Sequence, residues 1–210
     1  MILCDIGNSN VDFYHDGKIW SQTLEEFKEY SPNEKIYFIS VNDAVSSKLG
    51  ANYINIEEWF KFDTIYQGMG IDRVAACYTI TSGIVIDAGS AITVDVMSGG
   101  LHMGGYILPS INSYERCYAS ISTKLDVNIN PNVILDALPQ KTADAISYGT
   151  IKPMIMMLED TCRDKTVYFT GGDGKYFSKF FKKSIYDRSL IFRGMIKVIN
   201  DKEMQMKGSL

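Results

Sequence analysis

The chain has 210 residues, of which 46% are hydrophobic and 22% charged, a balance that supplies a folded core and excludes a disordered or collagen-like chain. Its 21 basic and 25 acidic residues leave a net charge of −4, so no long-range field draws in a nucleic-acid backbone, and a small-molecule partner fits better. Cys4, Cys77, Cys117 and Cys162 form no C-x-x-C pair and only His15 and His102 could add imidazole, so a zinc site is not expected and reduced thiols in a cytoplasm are the simpler reading.

Met1 leads into an apolar run without a basic segment, and nowhere do roughly 18 apolar residues follow one another, so neither export nor membrane insertion is expected. Ile2 to Cys4 reads as a strand ending in the turn formers Asp5 to Asn10. Val11 to His15 and Lys18 to Thr23 read as two further strands joined by the hairpin pair Asp16-Gly17. A short helix over Leu24 to Tyr30, a break at Ser31-Pro32-Asn33, strands at Lys35 to Val41 and Tyr53 to Ile56, and a helix over Ile71 to Thr81 complete the first part.

At residue 83 the opening pattern returns. Gly83 to Ile86 is an apolar strand running into Asp87-Ala88-Gly89-Ser90. Ala91 to Met97, the turn Ser98-Gly99-Gly100 and Leu101 to Leu108 follow as before. Aligning Asp5 with Asp87 gives an internal repeat with a period of 82 residues, which points to two copies of one α/β domain facing each other, 1–82 and 83–210. The second copy continues with helices over Asn112 to Ser122 and Thr142 to Cys162, a strand at Thr166 to Thr170, a helix over Lys175 to Lys182, a short strand at Ser184 to Tyr186 and a closing helix from Leu190 to Asp201. Gln205 to Leu210 read as a frayed end.

A strand that ends in Asp and turns through Gly-Asn-Ser or Gly-Ser-Ala sets backbone N–H groups and small hydroxyls at one sheet edge, where they can wrap phosphate oxygens. Asp5 and Asp87 suit such turns if a cation such as Mg²⁺ lies between carboxylate and phosphate, and either turn alone could be an ordinary Asx hairpin. Gly70-Ile71-Asp72-Arg73 heads a helix: Asp72 could accept a proton and Arg73 offer a fork to a substrate carboxylate, or the pair could be a capping Asp and a solvated Arg. Gly171-Gly172, after a strand, allow a flat base to lie on backbone, and a plain strand-to-helix turn explains them equally well. Gly174-Lys175 is no Walker A loop, because Phe169 occupies its first glycine position and Tyr176 its hydroxyl position. Met154, Met156 and Met157 read as core or subunit packing, Lys175, Lys179, Lys182 and Lys183 as a solvated face, His102 as a strand residue without a nucleophile signature, and Thr142 first as a helix N-cap.

Taken in order, Asp5 to Ser9, Gly70 to Arg73, Ile86 to Asp95, Gly104 to Pro109, Thr142 to Ile146 with Gly149, and Thr170 to Asp173 resemble the motifs of the type III pantothenate kinases, within the acetate and sugar kinase, heat-shock ATPase and actin superfamily. The resemblance implies two duplicated ribonuclease-H-like (actin-like ATPase) domains with an interdomain nucleotide cleft, and transfer of the ATP γ-phosphoryl group to pantothenate, the first step toward coenzyme A. It implies a first phosphate loop of Asp5, Ile6, Gly7, Asn8, Ser9, Asn10, Val11 and Asp12, with ATP contacts from Ser90, Gly171 and Gly172. It also implies Mg²⁺ at Asp5 and a monovalent cation, K⁺ or NH₄⁺, at Asp87. Asp72 matches the proton acceptor, Gly70 to Arg73 and Tyr66 the pantothenate contacts, and Thr142 a substrate contact supplied by the other subunit of a cytoplasmic homodimer. Ser9 and Ser90 stand for the family's threonines, Ser110 for a glycine, and the loop Phe60 to Gly70 is trimmed. A kinase of the same superfamily acting on another hydroxy acid or sugar, and a nucleotide-binding regulatory protein without turnover, are the alternatives.

Overall fold

The computed structural model describes residues 1–30 and 33–207. The expected break at Ser31-Pro32 therefore lies outside the described residues. Two five-stranded mixed sheets carry the architecture. The first contains β1 (Ile2–Ile6), β2 (Asn10–His15), β3 (Lys18–Thr23), β4 (Ile36–Ser40) and β5 (Tyr53–Asn55) in the order β3-β2-β1-β4-β5. The β1, β2 and β3 strands form an antiparallel meander, while β4 and β5 add in parallel to β1. The second contains β6 (Gly83–Ala88), β7 (Ala91–Ser98), β8 (Leu101–Pro109), β9 (Val167–Thr170) and β10 (Ser184–Tyr186) in the order β10-β9-β6-β7-β8. Each sheet therefore runs third, second, first, fourth, fifth strand in chain order, and the sequence repeat reappears as a repeated topology.

Local chemistry accounts for the boundaries. Asp16 and Gly17 both take positive φ, 47° and 83°, as a two-residue hairpin matched to strand twist requires, and they set His15 opposite Lys18. Helix α1 (Leu24–Lys28) starts at a reciprocal Thr23/Glu26 capping box and stops two residues before the expected Tyr30, where the Tyr30 N–H bonds back to Phe27. A one-turn helix, α2 (Asp43–Ser46), capped by Asn42, follows β4 where the sequence offered no periodic signal. Helix α3 (Ile71–Cys77) ends short of Thr81, because Tyr78 and Ile80 bond three residues back to Ala75 and Cys77 and close the last turn. Helices α4 (Ile111–Ile121) and α5 (Thr142–Cys162) are close to expectation, although Lys141 takes the N-cap position and Thr142 is the first helical residue. The expected helix at Lys175 to Lys182 is only α6 (Gly174–Phe177) with a 3₁₀ turn over Ser178–Phe180. Helix α7 (Leu190–Lys207) runs beyond Asp201 through part of the tail expected to fray, and 208–210 lie outside the described residues.

The contacts divide the chain into two compact units, one of 1–85, 95–105 and 187–210, the other of 86–94 and 106–186. In the first, one face of the sheet packs Leu3, Ile39 and Ile56 with Ala75 of α3 and Phe192, Met195, Val198 and Ile199 of α7. Cys4, Ile6, Val11, Phe13, Phe27, Ile36 and Phe38 form the other core cluster. Successive apolar residues of β1, Leu3 on one face and Cys4 and Ile6 on the other, thus feed two cores. Gly194 lets α7 approach α3: a Cβ there would lie 2.0 Å from the Ala75 carbonyl oxygen. In the second unit Ile129, Ile146, Ile151 and Ile155 anchor α5.

Candidate active site

The first candidate turn joins β1 to β2. Gly7 donates its N–H to the Asn10 carbonyl at 3.0 Å, while Asn8, Ser9 and Asn10 are exposed. Gly89 makes the equivalent bond to Ala91 at 2.9 Å in the second turn, where Ser90 is exposed. Each glycine thus bonds to the first residue of the following strand, and Ser9 and Ser90 both sit just before that strand. The first turn is one residue longer.

Register places Asp5 directly across from Asp12, on one face of the β1/β2 pair, and the Ser21 hydroxyl bonds to Asp12. Facing carboxylates repel unless a cation or donors offset them. Their field is felt next door: burial first, then Asp5 and Asp12, push the Cys4 thiol well above its ordinary range. This donor set fits a divalent cation held by one or two carboxylates and completed by phosphate and water, the usual Mg²⁺ arrangement. Among the described residues no group of three or more His, Cys, Asp or Glu side chains forms a metal cage of its own.

The Gly70 to Arg73 segment lies beside this turn. The Val41 N–H donates to the Ile6 carbonyl at 3.0 Å, and the Val41 side chain is 3.5 Å from where a Gly70 Cβ would be. Gly70 caps α3 without a side chain, and Asp72 Oδ1 accepts the Arg73 backbone N–H at 2.7 Å. Burial holds the Asp72 carboxyl above the usual carboxylate range, against the pull of that N–H and of the Arg73 guanidinium. A carboxyl so placed is better suited to take up a proton than a solvated one.

Arg73 is not an open fork. It is 5% exposed, and its Nε and Nη2 donate to Asp95 Oδ2 and Oδ1 at 3.0 and 2.7 Å. Its guanidinium carbon lies 4.7 Å from the centre of the Tyr66 ring. The His102 Nε2 is 2.9 Å from Asp95 Oδ1, and its Nδ1 is 2.7 Å from Thr64 Oγ1, which also accepts the Tyr66 N–H at 3.0 Å. The sequence assigns nothing to Thr64, takes His102 only as a strand residue without a nucleophile signature, and gives Asp95 no role beyond its place in a motif. Their spacing carries no pattern; only the register of Thr64 against His102 joins them.

In the second unit Asp87 is the penultimate residue of β6, with Gly171 beside it. Gly171 has φ 80°, and a Cβ there would lie 2.3 Å from Asp87 Oδ1 and 2.6 Å from the Ala88 carbonyl. Only glycine permits that approach. The Asp173 N–H fixes the turn by donating to the Ala88 carbonyl at 2.9 Å. Gly172 is exposed in the same turn. Thr142 is exposed at the first turn of α5. Tyr66, Gly70, Ile71, Asp72 and Arg73 thus form one grouping with the first turn, and Asp87, Gly171 and Gly172 form another.

The repeated sheet order and paired glycine turns are those of the actin-like ATPase fold. Structures described as MreB 5 of Spiroplasma citri and a 2-dehydro-3-deoxygalactonokinase of Sinorhizobium meliloti share it at TM-scores of 0.50 and 0.53, with 11% and 9% identity over 100% and 95% of this chain and 98% and 96% of theirs. The chain belongs to the type III pantothenate kinase family, whose pattern it matches over residues 60–164. It is 50% identical to the type III pantothenate kinase of Campylobacter jejuni over 96% of this chain and 97% of that one. With the Helicobacter hepaticus enzyme it shares 49% identity over 95% and 98%. A Campylobacter jejuni crystal structure described as a Baf family transcriptional activator superposes with a TM-score of 0.90 at 49% identity, over 97% of this chain and 99% of that one.

Proposed function

We propose that the chain transfers the γ-phosphoryl group of ATP to the hydroxyl of pantothenate, giving 4'-phosphopantothenate, the first step toward coenzyme A. The observation that carries this reading is the half-buried Asp72 carboxylate, fixed by the Arg73 N–H and set through Val41 beside the Gly7 turn, in a chain half identical to a named pantothenate kinase. Phosphoryl transfer needs positioning and charge neutralisation far more than covalent help. Backbone N–H groups of the Asp5 to Asp12 turn and the Ser90 hydroxyl position the phosphates, and Gly171-Gly172 give the adenosine a side-chain-free surface. Asp72 orients the acceptor hydroxyl and takes its proton. Tyr66 and Gly70 to Arg73 hold pantothenate, with Arg73 contributing chiefly a fixed positive charge, since two of its three nitrogens are engaged by Asp95.

Asp5 would hold Mg²⁺ and Asp87 a monovalent cation, K⁺ or NH₄⁺; these ions supply the charge that offsets the phosphates. Thr142, exposed on α5, fits a role supplied to the partner's site in a homodimer. The halves 1–82 and 83–210 are read as duplicated domains, and the enzyme as cytoplasmic; no helix among the described residues is long and apolar enough to cross a membrane. The second reading, a regulatory protein, has the description of the 49%-identical Campylobacter structure in its favour. Incubating the protein with ATP, Mg²⁺, K⁺ and pantothenate decides between them. ADP and phosphopantothenate formed in equal amounts support the kinase, ADP formed only with a sugar or another hydroxy acid supports a different kinase, and nucleotide binding without ADP supports the regulator.

A further inference from the structure

We infer that His102 is a positioning residue that fixes affinity for the acceptor substrate, an inference that rests on the kinase reading above. Its ring is buried, with 3% of the residue exposed, yet both nitrogens are within hydrogen-bond distance of a polar partner. Nε2 faces a carboxylate and therefore carries the proton. Thr64 Oγ1 already accepts the Tyr66 N–H, so its own hydrogen is available to Nδ1. The bonds converge on Asp95: Tyr66 N–H donates to Thr64, Thr64 O–H to His102 and His102 N–H to Asp95 from one side, and the guanidinium of Arg73 donates to Asp95 from the other.

The network closes on itself, because the Tyr66 ring lies over that same guanidinium at 4.7 Å. His102 also bonds by backbone to this segment, its N–H donating to the Asp63 carbonyl at 3.2 Å, and its ring meets those of Phe62 and Tyr66 at 5.8 and 5.9 Å. Residues 62–66 are therefore attached to β8 through His102. Asp95 Oδ1 receives two donors, so removing His102 leaves a buried carboxylate partly unmatched and frees Arg73 and Tyr66 to shift together. Both lie in the grouping that holds the acceptor. The effect should fall on one substrate.

The test is steady-state kinetics on the intact protein for His102→Phe, His102→Gln and Thr64→Val. Phe keeps the ring and loses both hydrogen bonds; Gln keeps an N–H for Asp95. We expect His102→Phe to raise KM for pantothenate on the order of ten- to a hundredfold, the scale of a hydrogen bond to a charged group, with KM for ATP within about twofold, and Gln to recover most of the loss. Equal rises in both KM values, no change in either, or Gln no better than Phe overturns the inference while leaving the kinase reading standing. If His102→Phe fails to fold, Thr64→Val decides: a rise confined to pantothenate supports the inference, and its absence ends it. A wild-type protein that does not phosphorylate pantothenate removes the kinase reading and this inference with it.

Discussion

Gly70 makes room for Asp72: a Cβ at residue 70 would lie 2.5 Å from Asp72 Oδ1, inside any van der Waals contact. The glycine has φ −62°, which every residue tolerates, so the constraint here is the carboxylate and not the backbone. Gly70→Ala is therefore expected to displace Asp72 from the Arg73 N–H. Turnover should drop on the order of 10²-fold, as for an ångström-scale misplacement of a catalytic group, with little change in KM for ATP. Full turnover in the alanine variant would show that the carboxylate position is immaterial.

Asp72→Asn keeps the shape and removes the proton acceptor. Turnover should fall by about 10²-fold or more, the scale of general base catalysis, with both substrates still binding by calorimetry. An unchanged turnover number takes Asp72 out of the mechanism.

Burial sets the direction of pH effects at the same residue. A carboxyl whose pKa is raised in the folded state binds its proton more tightly there than in the unfolded chain. Its contribution to stability is thus fully present below the unfolded-state pKa and is lost as pH rises through the folded-state value. Asp72→Asn should accordingly melt at a higher temperature than wild type at neutral pH, and the difference should close as pH falls below the ordinary carboxylate range. The acid limb of kcat/KM in the wild type should lie above that range for the same reason. An acid limb at or below the ordinary carboxylate value counts against Asp72 as the base.

Gly171→Ala combines a positive φ with contact on both Asp87 and the Ala88 backbone. Overpacking and the left-handed backbone together should cost about 2–4 kcal/mol and lower the Tm by roughly 5–15 °C in a chain of this size. If Asp87 holds the monovalent cation, the variant should also need more K⁺ for half-maximal rate. A melting curve and K⁺ response both identical to wild type would refute this account of the turn.

Gly194→Ala tests the α3/α7 crossing at Ala75. Alanine is the better helix former by about 1 kcal/mol, yet its Cβ would strike the Ala75 backbone, which cannot rotate away. We expect net destabilisation on the order of 1–3 kcal/mol in urea unfolding. A stabilised variant would mean that the two helices separate at no cost.

The amino-acid sequence alone determined the features that local chemistry writes into consecutive residues. Asp16-Gly17 marks its hairpin because two positive φ angles are needed there. The return of the Asp-x-Gly turn at residue 87 announces the second sheet, and the helix heading at Gly70 is legible from its apolar spacing. Helix ends were less legible: α3 stops at Cys77 and the expected helix at Lys175 breaks into shorter turns, because bonds three residues back close them regardless of periodicity. Only the tertiary structure decided who meets whom across long stretches of chain. That the Arg73 fork closes on Asp95, that His102 and Thr64 complete the pair, and that α7 returns to α3 at Gly194 depend on register and helix approach, which bring together residues that no spacing relates.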